Sequence, residues 1–150
     1  MFIHKYKTSL VLGLLCTALI TVPAVSETAS PNDILVIVNK SADIDSISMG
    51  ELAQIFLKEK TSWSNGQRII PINAREGGDL RKSFRTKALA MRTSEEEIYW
   101  ENQKIRSQLN PPVEMSNTPK AVFKLKYAIS YAFRRDLPDN VVKVILVIPE

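Results

Sequence analysis

Cysteine and histidine are almost missing from this sequence: it has one of each, Cys16 and His4, and both sit near its start. That start has three parts. "MFIHKYK" is short and basic, "TSLVLGLLCTALITV" is uninterruptedly apolar, and "PAVSE" brings small residues before polar chain. This order is that of a secretory signal peptide over residues 1–26, with cleavage after Ala24 or Ser26. The apolar run falls short of the roughly 20 residues a membrane span needs, so no membrane insertion is expected after cleavage. Leu15 before Cys16 is not the small residue that lipid attachment at such a cysteine takes. The expected mature chain therefore has neither cysteine nor histidine. Disulfides, zinc sites built on Cys or His, Cys/His and Ser/His nucleophiles and haem ligation through His are all excluded. No metal or cofactor is expected. Catalysis would have to rest on carboxylates or a Ser/Lys pair, and no convergent set of these is visible, so the reading is non-enzymatic.

An excess of positive charge is also largely missing. The full chain carries 20 Lys+Arg against 16 Asp+Glu, and loss of Lys5 and Lys7 with the signal leaves 18 against 16. A nucleic-acid partner needs a far more basic face and is not expected. The expected location is periplasmic or secreted.

Residues 27–33, "ETASPND", read as a loose polar lead-in. "ILVIVN" (34–39) is a nearly continuous β-branched run, as in a strand covered on both faces. "SMGE" (48–51) has the form of a capping box, and Leu52, Ile55 and Phe56 follow on one helical face. Asn65-Gly66 marks a turn before a short strand "RIIPIN" (68–73), in which Pro71 suits an edge position or an end. Leu80, Phe84, Ala88 and Met91 recur at helical spacing. "SEEE" (94–97) offers a second capping box before Ile98, Ile105 and Leu109, with no metal expected there because helix-start electrostatics explains the acids. "NPPVEMSNTPK" (110–120) reads as a loop ending in Thr118 as N-cap and Pro119 as first helical residue. "AISYAF" (128–133) and "VVKVILVI" (141–148) read as strands around the turn "RRDLPDN". Strands interleaved with helices argue for an α/β sandwich with a mixed sheet. Trp63, Tyr99 and Trp100 read as core or its rim, with a ligand-stacking surface as the alternative.

The stretch "NAREGGDLRKSF" (73–84) places an arginine and two glycines before a helix start. Free N–H groups and the helix dipole attract an oxyanion, glycines let backbone approach it, and Arg offers a two-pronged fork. Asp79 opposes this, since its carboxylate can cap those N–H groups itself and repel an anion. Arg75 pairing with Glu76 or Asp79, and Arg81, Lys82 and Arg85 forming only a solvated basic face, is the alternative.

The order of these pieces resembles that in the periplasmic phosphate-binding proteins of ABC transporters, and more closely their short single-lobe relatives. It consists of a strand ending Val-Asn, Glu-Leu-x-x-Ile-Phe in a helix, a Trp before a turn, an Arg, a Phe in the next helix and a late Ile-x-Tyr strand. The resemblance implies that residues 34–150 form one lobe of a type 2 periplasmic binding protein. Its fold would be a three-layer α/β sandwich with a mixed, mainly parallel sheet. It also implies Arg75 as the family's arginine, with Gly77 and Gly78 giving backbone approach; the candidate ligand site adds Asp79 and Arg81 at the helix start, and Asn39 at the end of the first strand, where open α/β sheets bind ligands. The bland alternative for Asn39 is a turn residue bonded to its own backbone. Where the family has Ser-Gly-Thr, this chain has Asp79-Leu80-Arg81. Expected partners are phosphate or a similar oxyanion, and an envelope or transporter protein. A ligand-free scaffold acting as an envelope interaction protein is the alternative function.

Overall fold

A computed structural model of the protein describes residues 29–150; the signal peptide expected over 1–26, and residues 27 and 28 of the lead-in, lie outside the described residues. The apolar run forms β1 (Ile34–Val38), buried at every position. Alternate faces of one strand meet different layers. Val36 and Val38 join one core cluster, Leu35 and Ile37 the other.

Ser48 caps α1 (Met49–Phe56) by accepting the Glu51 N–H, and Leu52, Ile55 and Phe56 are its buried side, as the spacing predicts. The Glu51 side chain pairs with Lys60 instead of returning to the cap. Then come β2 (Ile70–Ala74), α2 (Asp79–Ala88), α3 (Thr93–Ser107), β3 (Val113–Met115), α4 (Thr118–Lys124), β4 (Ala128–Phe133) and β5 (Lys143–Ile148).

The strand order is β3-β2-β4-β1-β5. β3 and β4 run parallel to β2, whereas β1 is antiparallel to both its neighbours, β4 and β5. Four strands therefore point one way and β1 the other, which is the mixed, mainly parallel sheet expected. α1 and α2 pack on one face and α4 on the other, giving three layers. Phe84 of α2 stacks on Tyr131 of β4 at a centroid distance of 3.6 Å, with Phe56 of α1 edge-on to both rings.

Pro71 pairs with Ile129 of β4, while pairing with β3 begins only at Ile72. The proline thus stands where its second side is free, so the missing N–H deprives no ladder.

Several expectations are corrected. Asn117, not Thr118, caps α4 by accepting the Lys120 N–H; Thr118 turns inward and donates to the Tyr131 carbonyl. The loop 110–120 contains β3, invisible to periodicity because it is three residues long and wholly exposed. Ile98 and Ile105 are exposed, and the buried residues of α3 are Glu96 and Trp100. The lead-in is not loose from Ser30 onward: Ser30 and Asn32 bond the Glu150 carboxylate, and buried Asp33 pairs with Arg134.

Candidate functional site

Because β2, β3, β4 and β5 share a direction, their C-terminal ends form one edge, and the "REGGD" loop after β2 lies on it. Open α/β sheets place ligands at such an edge. Gly77 takes φ +84°, a left-handed turn that glycine adopts without strain, and Gly78 is the N-cap of α2. Among the described residues no side chain caps the first turn of α2, so Asp79 at its first position does not shield the helix start as expected of a capping carboxylate.

Residues treated as one constellation in the sequence are separated here. Arg75 is exposed and lines a cleft of about 400 Å³ with Lys120, Lys124 and Glu114. It makes no ion pair among the described residues, with neither Glu76 nor Asp79. Asp79 lines a different cleft, beside Lys87 and Arg135. Arg81 belongs to a third, between α2 and α3.

The sharpest departure concerns that third cleft. Arg81 and Arg85 are not a solvated basic face; they are 3% and 4% exposed. Arg81 Nη2 donates to Glu96 Oε1 and Arg85 Nε donates to Glu96 Oε2, each at 2.5 Å. Arg85 Nη2 also donates to Glu76. Burial pushes the Glu96 carboxyl upward, but the hydrogen bonds from Arg85 and Arg81 outweigh it and hold it below the ordinary carboxylate range. Nε and Nη1 of Arg81 have no hydrogen-bond partner among the described residues, although Nε lies 3.4 Å from Glu76 Oε2. The acids of "SEEE" thus do more than complement the helix start: Glu95 caps α3, and Glu96 neutralises two buried cations.

Asn39 does not face this edge. β1 runs against β2, so the end of β1 lies at the opposite rim of the sheet. There Asn39 donates to the carbonyls of Val122 and Phe123 and accepts from the Ser41 N–H and hydroxyl, which uses its amide fully. It is the turn residue of the alternative reading. Trp63 and Trp100 are buried and Tyr99 is half-buried, its hydroxyl donating to the Leu57 carbonyl, so these aromatics belong to the core and its rim.

Sequence reasoning missed Lys120 and Lys124 as neighbours of Arg75. The signal for them is weak: only α4's position beside the end of β3 brings the three cations together. Among the described residues Glu114 is the one carboxylate lining their cleft, and its Oε2 accepts the Glu76 N–H at 3.1 Å. The arrangement suits an anion. Among the described residues, no group of three or more His, Cys, Asp or Glu side chains is placed to hold a metal ion.

No family model matches the sequence, and no curated protein matches it. Solved structures do resemble it. An ABC-type phosphate transport receptor from Vibrio cholerae superposes with a TM-score of 0.60 at 16% identity, over 77% of this chain and 46% of that one. A phosphate ABC transporter substrate-binding protein from Clostridium perfringens, with bound phosphate, gives 0.58 at 16% identity, over 77% and 45%. PstS from Borrelia burgdorferi gives 0.51 at 15% identity, over 68% and 44%. The fold is that of a single lobe of such binding proteins, and the chain spans less than half the length of each.

Proposed function

We propose that this chain is an exported, non-enzymatic solute-binding-like domain that binds phosphate or a similar oxyanion weakly, in the cleft shared by Arg75, Lys120 and Lys124. The observation that carries this reading is the convergence of three cations on one cleft at the C-terminal edge of the sheet, with Glu114 as the one carboxylate lining it among the described residues. Arg75 supplies the fork, and the lysines add point charge. The fold likeness to phosphate-binding proteins supports the ligand class. All three cations are exposed, so water screens the site, and a single lobe cannot enclose the anion. Affinity on the order of millimolar follows, rising where a transporter or envelope protein closes over the edge.

The test is calorimetry and NMR titration with phosphate and sulfate. Arg75→Ala and the double change Lys120→Ala/Lys124→Ala should each weaken binding by about tenfold, with the effect shrinking as salt rises. Asp79→Ser separates the two possible locations. Binding at the start of α2 would strengthen when the carboxylate is removed, whereas binding beside α4 stays as it was.

A second reading has its own support. Arg81, standing where the resemblance has Thr, is drawn into the ion cluster with Glu96, so the family's hydroxyl cradle is replaced by an internally neutralised contact. In that reading the domain is a ligand-free scaffold that docks on an envelope protein. Absence of binding at about 10 mM phosphate and sulfate, with none created by Asp79→Ser, decides for it.

A further inference from the structure

At the other rim of the sheet, by the N-terminal end of β2, lies a cleft of about 380 Å³ that the oxyanion reading does not use. Its floor is apolar: Ile55, Ile69, Pro71 and Leu109. The cations Lys58, Lys60 and Arg68 and the hydroxyl residues Thr61 and Ser62 also line it. Lys60 is committed to Glu51. Lys58 and Arg68 have no carboxylate within ion-pair distance among the described residues. Among the described residues, the only hydrogen-bond contact of the Lys58 ammonium is a long one, 3.5 Å, to the Pro111 carbonyl.

Local structure fixes the backbone at both cations. α1 ends with the Lys58 N–H bonded to the Ile55 carbonyl and the Glu59 N–H to the Gln54 carbonyl, the paired closure that usually takes glycine. Lys58 sits there at φ +57°. The Arg68 backbone is set by a small hairpin: Ser62 bridges Arg68, and the turn passes through Gly66 at φ +82°. Burial, and then the nearby charge of Arg68, lower the pKa of Lys58. An anion between the two would counter the repulsion and offset the desolvation, favouring the charged lysine.

The geometry points to a second binding site here, for a small organic acid: a carboxylate held between Lys58 and Arg68 on an apolar body laid over Ile55, Ile69, Pro71 and Leu109. Size and lining match small-molecule sites, which are mostly apolar with a few polar groups that fix orientation. A bare inorganic oxyanion would leave the apolar floor uncovered and gain nothing from it.

Indole-3-acetate is the probe, and neutral indole-3-acetamide, of the same shape, is its control. Titration of the protein followed by NMR should show saturable binding of the acid, and binding of the amide weaker by about tenfold or more. Lys58→Gly relieves the left-handed strain and so should melt at or above the parent while weakening the acid about tenfold. Arg68→Ala, at an exposed hairpin position, should weaken it similarly. Arg75→Ala should bind the acid as the parent does, and 10 mM phosphate, on the order of the affinity proposed for the other cleft, should not displace it. The site is overturned if the acid does not saturate, if the amide binds as tightly, or if both cation variants bind like the parent. Displacement by phosphate, or loss of binding in Arg75→Ala, overturns it equally by placing the acid in the other cleft.

Discussion

Glu96 is the residue on which the interior charge balance turns. Its two oxygens neutralise Arg81 and Arg85, and Trp100 Nε1 contacts the same carboxylate at 3.4 Å. Removing one partner of a buried pair strands the other charge, so Glu96→Gln should destabilise the protein by about 3–5 kcal/mol at pH 7, read from urea unfolding. The pH dependence has a definite sign. The folded pKa of Glu96 lies below its ordinary 4.5, so its pairing contributes stability above that value and loses it as pH falls through the folded one. Unfolding curves between pH 7 and 3 should therefore show a steeper acid loss in the parent than in Glu96→Gln. Equal slopes would mean that the cluster is not coupled to folding. Phe84, fully buried against Tyr131 and Phe56, is the matching apolar case. Phe84→Ala should cost about 3–5 kcal/mol, and a loss under about 1 kcal/mol would contradict the aromatic stack.

Among the elements, α3 departs furthest from its own sequence pattern. The spacing of Ile98 and Ile105 predicts a buried apolar stripe, yet Ile105 is 76% exposed and the side facing the protein carries Glu96 and Trp100. Periodicity assumes that the apolar side goes inward. Here two arginines of α2 need a carboxylate, and one orientation of α3 supplies it. Ile105→Lys should accordingly shift stability by no more than about 0.5 kcal/mol in thermal unfolding. α4 obeys its local signals with an offset of one residue. Asn117→Ala should cost about 1 kcal/mol through loss of the cap on the Lys120 N–H.

At the scale of the whole fold, the described residues form two apolar clusters that share β1 and β4: Val36 and Tyr131 belong to one, Leu35 and Ala132 to the other. Each cluster packs its helices on one face of the same sheet, so the two are coupled through it. The ends of the described chain are tied as well, since Asp33 accepts the Glu150 N–H and Ser30 and Asn32 donate to the Glu150 side chain. One cooperative transition is expected, with tryptophan fluorescence from Trp63 and Trp100 and far-ultraviolet circular dichroism giving the same midpoint. Separate midpoints would show that the layers unfold independently.

Short-range physics made much of this legible in the sequence. The run Ile34–Val38 is β-branched and apolar, Ser48 stands before Leu52, Ile55 and Phe56, and Asn65-Gly66 stands before β2; each pattern acts within a few residues and each produced its element. The likeness to one lobe of a phosphate-binding protein was legible for the same reason, being an ordered series of such pieces. What lay beyond it depends on strand direction and on which charges meet across the fold. Asn39 went to the opposite rim because β1 alone runs against the other strands, a choice set by pairing between segments far apart in the chain. Arg81 and Arg85 look like a solvated face until Glu96 is placed beside them. Arg75 finds Lys120 and Lys124 only once α4 packs against the edge where β2 and β3 end. Capping and periodicity are local energies that a sequence displays directly; burial of a charge is decided by its distant partner, so only the tertiary structure could assign it.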